Sequence, residues 1–336
     1  MNKDETIHII YGSDENYIEP TFVSAASLIV GNVRPCHLII HLLDTGVEDA
    51  SWDKFCSRLR SFGTDIEFVR HKIDNDRLKG LTAYKGSVAT YARMFVAEIV
   101  LDVEWAVYVD GDTLWVGDIC DLLQYRDEAK IIVGAIDPSD PYRDSDVEFR
   151  WFKDNGLQVD PREYVNVGLM LVNLRLMREL EIPQKCRDFL FRVQKPRFAD
   201  QTVLNYVCRG KIGKLPPQWG VFSFCHNGVD ITNGALIHYA CDVPWKRTKV
   251  THLFSDVVML WFYFCKIALN ENYLEKYYNR GTFLWRRGLF LVFKWLHPLI
   301  KLSGYLNSKL RNVCGLKKDE ISRICERFEK QPENGR

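Results

Sequence analysis

The order of apolar and polar positions in the first half of the chain predicts strands alternating with helices. Short runs of β-branched and aromatic residues are bounded by polar turns, whereas longer stretches carry apolar residues at helical spacing. Such alternation favours an α/β fold with a mostly parallel sheet flanked by helices. We predict strands at residues 7–11, 37–43, 65–71 and 106–109, and helices at residues 21–30, 52–62 and 88–100.

The second half of the chain starts with the same pattern and then changes character. We predict strands at residues 131–136, 164–174 and 235–239, and helices at residues 183–193 and 200–207. Residues 139–161 are polar and proline-rich and form a long excursion between two strands. From residue 252 the chain is aromatic-rich and helical. We therefore expect a sheet-containing domain at residues 1–250 and a helical C-terminal region at residues 251–336.

Charge is distributed unevenly along a chain of ordinary globular composition. Of the 336 residues, 47% are hydrophobic and 26% are charged, which allows a sizeable core. The net charge is +1, but residues 283–318 hold eight Lys and Arg and no Asp or Glu. The rest of the chain therefore carries 37 basic against 44 acidic residues. An acidic body with a basic tail argues against a nucleic-acid-binding protein.

The basic tail also holds tryptophans, Trp285 and Trp295, which prefer a membrane interface, and cations that attract anionic lipids. Its apolar runs are interrupted by charges too often to span a bilayer. We expect an amphipathic helix lying on the membrane surface; the alternative is a helix that packs on the protein or on a partner. Because the N-terminus lacks the apolar core of a signal peptide, we expect a cytoplasmic protein, peripheral on the inner membrane face.

The ten cysteines are scattered singly along the sequence. No Cys-x-x-Cys pair occurs, which argues against a zinc site. Several lie inside apolar runs, where cysteine behaves as a small buried hydrophobe. This usage agrees with a reducing compartment.

Two carboxylates follow the strand at residues 106–109 directly. Asp110 and Asp112 point to the same side of an extended chain, and Gly111 between them allows a ligand to approach closely. Asp14 follows the first strand in the same way. Mg²⁺ and Mn²⁺ prefer such oxygen ligands and share them with substrate phosphates. The alternative for an isolated Asp-Gly-Asp is a solvated turn.

Further motifs share the chain with this acidic pair, in a fixed order between residue 6 and about residue 247. They are Tyr11-Gly-Ser-Asp-Glu-Asn-Tyr17, Ala89-Thr-Tyr-Ala-Arg93, Tyr108-Val-Asp-Gly-Asp112, Tyr164-Val-Asn-Val-Gly168 with Leu171-Val-Asn-Leu174, Asp200-Gln201 and, in part, Ile237-His-Tyr-Ala. Together they resemble the family 8 glycosyltransferases, a retaining group with the Rossmann-like GT-A fold. The resemblance extends to hexosyltransferases that act on lipooligosaccharide and lipopolysaccharide.

The resemblance implies a metal-dependent enzyme that moves galactose or glucose from a UDP-sugar to a glycan or glycolipid acceptor. Asp110, Asp112 and His238 would hold Mn²⁺ or Mg²⁺ against the two phosphates, where the metal acts as a Lewis acid. Asp14, Asn16 and Tyr17 would bind the uridine end.

The remaining implied roles concern the sugar. Arg93 would reach the sugar or the phosphates, and Asn166, Asp137, Asp200 and Gln201 would line the transferred hexose. Retention of configuration would proceed on one face through an oxocarbenium-like state, with Gln201 stabilising the positive sugar and Asp200 orienting it. A short-lived covalent adduct is the alternative.

One motif departs from the family pattern. The metal histidine is usually followed by a glycine and then by Lys-Pro-Trp, whose lysine meets the diphosphate. Here Pro244-Trp245 precede Lys246, so Lys246 or Arg247 would supply the charge from a shifted position. Two other classes stay open: a nucleotidyltransferase of similar fold, and a peripheral membrane binding protein with a degenerate site.

Overall fold

The computed structural model of the chain describes most of the sequence, including every element that the motifs occupy. The described residues are 6–63, 65–74, 89–137, 144–193, 196–222, 229–232, 234–240, 243–245, 255–278, 280–303 and 316–329.

Seven strands of the described chain form one sheet in the order β3-β2-β1-β4-β7-β6-β8. Its members are β1 Thr6–Ser13, β2 His37–Asp44, β3 Ile66–Lys72, β4 Trp105–Val109, β6 Ile132–Ile136, β7 Val165–Asn173 and β8 Ile212–Leu215. A second, three-stranded sheet contains β5 Thr113–Trp115, β9 Val221–Phe222 and β10 Leu236–His238.

Helices cover both faces of the large sheet and continue beyond it. They are α1 Ile18–Gly31, α2 Asp49–Arg60, α3 Val96–Ile99, α4 Ile119–Leu123, α5 Asp144–Asp154, α6 Leu174–Glu179, α7 Ile182–Arg192, α8 Ala199–Val207, α9 Asp256–Ile267, α10 Tyr273–Tyr277, α11 Arg280–Ser303 and α12 Lys318–Glu329. Short 3₁₀ helices occupy Ala89–Phe95, Pro161–Glu163 and Pro217–Gly220.

The large sheet is mostly parallel, which confirms the predicted fold class. β3, β2, β1 and β4 run in one direction, with Ile9 opposite Val107 at the centre. β7 alone runs against both of its neighbours, β4 and β6. The carboxyl ends of β1 and β4 therefore meet the amino end of β7 at one edge. Asp14, Asp110 and the start of β7 are brought together there.

The small sheet brings a distant segment over this edge. β10 pairs antiparallel with β5, placing His238 opposite Thr113, and parallel with β9. The Tyr239 N–H donates to the carbonyl of Asp112 at 2.8 Å, which continues the pairing by one residue. A strand is thus present within the predicted range 235–239, at Leu236–His238, and its antiparallel partner is β5, which follows the acidic pair directly.

The predicted helix at residues 88–100 has a different form. Residues 89–95 form a 3₁₀ helix, and only Val96–Ile99 is α-helical. Tyr91 through Ala97 are all buried, so packing on several sides determines the backbone here instead of one apolar stripe. Residue 88 lies outside the described chain.

The C-terminal helices pack on the sheet-containing part through the α1 side. Phe264 of α9 contacts Phe328 of α12 edge-on, and Ile324 is fully buried beside them. Arg327 donates to the carbonyl of Val116 at 3.0 Å. The division of the chain at residue 250 stays a prediction. None of the helices in the described ranges is long and apolar enough to cross a membrane.

Candidate functional site

The acidic pair and His238 form a compact cluster at the sheet edge. His238 Nε2 lies 3.2 Å from Asp112 Oδ1 and 3.7 Å from Asp110 Oδ2. One ligand atom from each of the three side chains falls within 4.8 Å of the others. Two carboxylates and one imidazole make a donor set that suits a divalent cation. The structure thus brings together the three residues that the sequence singled out as metal ligands, and their role as ligands stays a prediction.

Burial and mutual attraction shift the protonation of the cluster. Burial raises the pKa of Asp110 to about 6, against the opposing charge of Arg93. Burial also works to raise the pKa of Asp112, but the charge and hydrogen bond of His238 outweigh it and lower that pKa. Burial acts to lower the pKa of His238, and attraction to Asp112 reverses the direction and raises it. Each group thus depends on its neighbours for its charge.

Two glycines permit close packing at the cluster, Gly168 against His238 and Gly111 against Thr21. A Cβ at Gly168 would overlap the His238 ring, and a Cβ at Gly111 would overlap the hydroxyl of Thr21. The Gly168 carbonyl accepts a hydrogen bond from the Asp110 N–H at 2.8 Å. Gly168 therefore holds β7 against Asp110 while the imidazole lies directly above it.

Arg93 lies beneath the acidic cluster and is nearly inaccessible to solvent. Its Nη2 is 2.7 Å from Asp110 Oδ1, its Nε is 2.9 Å from Asp200 Oδ2, and its Nη1 donates to the carbonyl of Val167 at 2.8 Å. Thr90 donates to the other Asp200 oxygen at 2.5 Å. The guanidinium thus connects Asp110 of the acidic cluster to Asp200 of the Asp200-Gln201 motif. Its predicted contact with the donor stays a prediction.

Gln201 lies among the other predicted sugar-site residues. Its Nε2 donates to Asp137 Oδ2 at 2.8 Å, and its Oε1 accepts from Asn166 Nδ2 at 3.0 Å. Asn166 Oδ1 in turn accepts from the Gly168 N–H at 2.8 Å. The structure therefore brings Asp137, Asn166, Asp200 and Gln201 together beside the acidic pair.

The predicted uridine end lies at the carboxyl end of β1. Asp14 Oδ1 accepts from the Tyr17 N–H at 3.1 Å, and Asn16 is exposed. Burial raises the pKa of the Tyr17 hydroxyl, and the charges of Asp112, Asp110 and Asp14 add to the effect. Trp245 packs edge-on against Tyr17 with ring centres 6.0 Å apart. Lys246 and Arg247 lie outside the described residues.

Sequence patterns did not single out Trp245 or Tyr164 as site residues. Trp245 belongs to the shifted Pro244-Trp245-Lys246 motif, and its position directly after Pro244 is the one sequence signal for it. Tyr164 opens the β7 motif, and its hydroxyl lies 3.4 Å from Gln201 Nε2. No local signal separates such a tyrosine from an ordinary core aromatic.

The charges around the cluster fit a divalent ion. Arg93 pairs with Asp110 and Asp200, and Asp112 pairs with His238 instead. Three carboxylates and one guanidinium leave two negative charges when His238 is neutral. Retaining those charges in a buried site is costly unless a cation neutralises them. The donor set and the two uncompensated negative charges therefore agree with a metal ion of charge +2.

The fold and this site together define the class of protein: an α/β glycosyltransferase of GT-A type. The crystal structure of the galactosyltransferase LgtC with donor and acceptor sugar analogues has the same fold, with a TM-score of 0.61 and 20% identity. The match covers 72% of this chain and 90% of that one. The bifunctional glycosyltransferase WbbM matches with a TM-score of 0.63 and 18% identity, over 76% of this chain and 49% of WbbM.

The chain belongs to glycosyl transferase family 8, whose sequence model matches residues 8–249. It is 22% identical over 268 residues to a lipopolysaccharide 1,2-glucosyltransferase of Escherichia coli K12, covering 74% of this chain and 76% of the relative. It is 26% identical over 210 residues to a lipopolysaccharide 1,3-galactosyltransferase of Salmonella typhimurium, covering 60% and 59%. The resemblance drawn from the motifs is thereby confirmed.

Proposed function

We propose that the protein is a metal-dependent, retaining glycosyltransferase that moves galactose or glucose from a UDP-sugar to a lipopolysaccharide core or a related glycolipid. The observation that carries the proposal is the convergence of Asp110, Asp112 and His238 beside Asp200-Gln201. Relatives named for lipopolysaccharide glucosyl and galactosyl transfer support the choice of hexose and acceptor.

Asp110, Asp112 and His238 are the proposed metal ligands. When bound, Mn²⁺ or Mg²⁺ supplies positive charge to the departing diphosphate. The imidazole favours Mn²⁺, because Mg²⁺ prefers sites made of oxygen alone. Arg93 keeps Asp110 ionised and oriented by donating to both of its oxygens, at 2.7 and 3.3 Å.

The nucleoside lies across the end of β1 in this proposal. Asp14 and Asn16 supply acceptor and donor groups for the uracil edge and the ribose hydroxyls. Tyr17 offers an aromatic face that is fixed by Trp245 behind it. Lys246 is proposed to contact the diphosphate from its shifted position in the motif.

Gln201 is the proposed stabiliser of the positive sugar. An amide is a poor nucleophile, so its oxygen serves better to stabilise an oxocarbenium-like state on the face opposite the leaving group. Asp200 is bound to Arg93 and Thr90, which fixes the start of α8 and so the direction of Gln201. Asp137 and Asn166 then contact hydroxyls of the hexose, since both can discriminate their positions.

We further propose that residues 1–250 form the catalytic domain and that residues 251–336 attach it to the inner membrane face. Attachment would place the sheet edge near a membrane-bound acceptor. The proposed setting is the cytoplasm, where UDP-sugars are available to the enzyme. The alternative of a nucleotidyltransferase is disfavoured, because the chain belongs to a glycosyltransferase family.

The test is an assay of UDP release from UDP-galactose and UDP-glucose with Mn²⁺. We expect one of the two donors to be cleaved, activity to be lost on chelation, and Asp112→Asn to be inactive. UDP-N-acetylglucosamine and GDP-mannose serve as donor controls. Release of UDP at the same rate with a chelator present, or no cleavage of either hexose donor, would contradict the proposal.

A further inference from the structure

A buried carboxylate lies behind the sugar-binding side chains, on the helix of the long excursion. Glu148 of α5 is 1% exposed. Its Oε1 accepts hydrogen bonds from Thr202 Oγ1 at 2.7 Å and from the Tyr164 hydroxyl at 3.2 Å. Its Oε2 is buried and has no hydrogen-bond partner among the described residues. A carboxyl group in such a place is costly and calls for a reason.

Both hydroxyl groups that contact Glu148 donate their hydrogen bonds to it. Thr202 Oγ1 accepts from the Phe198 N–H at 2.8 Å, so its own proton is free to go to Glu148. Tyr164 likewise donates to Glu148, which leaves its oxygen to accept from Gln201 Nε2 at 3.4 Å. An ionised carboxylate accepts only, so it forces both hydroxyls to donate toward it.

The same logic fixes the amide of Gln201. Asp137 and the Tyr164 oxygen accept, and both face Nε2. The Asn166 Nδ2 group and the Val167 N–H donate, and both face Oε1, at 3.0 and 3.4 Å. Reversing the Tyr164 hydroxyl would place its proton against the amide nitrogen and remove one of these constraints.

We propose that Glu148 is a positioning residue for sugar transfer, acting through Tyr164 to hold the Gln201 amide in this one orientation. The inference rests on the proposed function and adds to it a residue that does not touch the substrate.

The charge on Glu148 is sensitive to pH in the physiological range. Burial raises the pKa of Glu148 to about 7, hydrogen bonds from Thr202 and Tyr164 oppose this, and Arg197 and Asp137 act in opposite directions. Glu148 therefore loses its proton as the pH rises through this range. Gln201 should be held most firmly at the alkaline end.

The experiment compares wild-type protein with Glu148→Gln, using the hexose donor that the wild type cleaves, with Mn²⁺. At pH 8 we expect kcat of the variant to be about tenfold lower, because the neutral amide can donate as well as accept and no longer forces the Tyr164 hydroxyl to donate toward it. At pH 6 the two proteins should approach the same kcat, and KM for the donor should stay within about twofold. Asp154→Asn, an exposed acid on the same helix, is the control and should match wild type at both pH values.

Tyr164→Phe provides the second arm. Because Glu148 acts through the Tyr164 hydroxyl, kcat of the double variant, Glu148→Gln with Tyr164→Phe, should be no lower than kcat of Glu148→Gln alone. Equal kcat for wild type and Glu148→Gln at pH 8, or additive losses in the double variant, would overturn the inference. A wild-type protein that cleaves neither hexose donor would overturn the proposed function instead, so the two failures are distinguishable.

Discussion

At the scale of single residues, Gly168 connects the backbone of β7 to the cluster of Asp110, Asp112 and His238. Its carbonyl holds Asp110, and the His238 ring occupies the space where a side chain would lie. We predict that Gly168→Ala displaces His238 and lowers UDP release by at least about tenfold, because a misplaced ligand loses transition-state stabilisation.

The matched control for Gly168→Ala is Gly288→Ala. A Cβ at Gly288 meets no atom within 4 Å, and this glycine lies inside α11, where alanine is the better helix former. The control should keep wild-type activity and stability. Full activity in Gly168→Ala would show that His238 is not needed where the structure places it.

Arg93 has ion-pair partners that the sequence alone does not reveal. The motif predicted that Arg93 belongs to the site, and in the structure its guanidinium contacts Asp110 and Asp200. Its partners, Asp110 and Asp200, lie 17 and more than one hundred residues away along the chain, and no periodicity encodes such pairs. The structure alone shows that the guanidinium joins two motifs.

At the scale of elements, three histidines form a hydrogen-bonded row across β1, β2 and β3. His8 Nδ1 lies 3.0 Å from His41 Nε2, and His41 Nδ1 lies 3.0 Å from His71 Nε2. Burial lowers the pKa of His41 to about 3, and the charges of His71 and His8 add to the effect. His41 therefore stays neutral in the folded protein at pH values where the unfolded chain is protonated.

This difference makes folding stability depend on pH. Between the ordinary pKa of 6.5 and about 3, the unfolded chain binds one more proton at His41, so stability falls as the pH drops through that window. We predict a loss of about 1.4 kcal/mol in the free energy of unfolding for each pH unit within it. Urea unfolding at pH 6 and pH 4 measures the slope.

His41→Gln should flatten that slope, and His37→Gln serves as its control. His37 lies on the same strand with a partly exposed ring that contacts Asp65 and Glu67. The His37 variant should keep most of the pH dependence. An unchanged slope in His41→Gln would show that the row does not control acid stability.

Strands were predicted better than their pairing. β1, β2, β3 and β4 fall close to the predicted positions, because each is a short apolar run bounded by polar turns. The reversal of β7 was not predicted, since an apolar strand buried on both faces carries no mark of its direction. That reversal is what places Asn166 and Gly168 beside Asp110.

At the scale of the whole molecule, α11 presents two different faces. Phe290 is fully buried, and Arg287 reaches Asp256 of α9 at 2.6 Å. The opposite face carries exposed apolar side chains at helical spacing: Leu284, Trp285, Leu291, Val292 and Trp295. One face thus packs on the protein, as one sequence interpretation expected, and the other remains available for a membrane surface.

We predict that replacing Trp285 and Trp295 together by Ser weakens binding to anionic phospholipid vesicles by at least about tenfold, or about 1.4 kcal/mol. Flotation with the vesicles measures the bound fraction. Phe191→Ser is the control, because Phe191 is 86% exposed but lies on α7, outside the tail. Unchanged vesicle binding in the double variant would contradict membrane attachment through this face.

The sequence motifs predicted the fold class, and they contain most of the residues that the structure brings together at the carboxyl ends of β1 and β4. They did not predict how the C-terminal helices join the body. α10 meets α1 through Glu19, which accepts from the hydroxyls of Tyr273 and Tyr277 at 3.0 and 2.8 Å. Such contacts depend on the packing of the whole chain and have no local pattern.

The proposed metal site of Asp110, Asp112 and His238 is tested most directly by the affinity for UDP. Isothermal titration calorimetry of UDP into the protein measures this affinity with Mn²⁺ and with a chelator. We expect UDP to bind in the presence of Mn²⁺, binding to weaken at least about a hundredfold without it, and Asp112→Asn to behave like the metal-free wild type. Equal affinity for UDP with and without the metal would contradict the assignment of Asp110, Asp112 and His238 as the ligands of a diphosphate-binding cation.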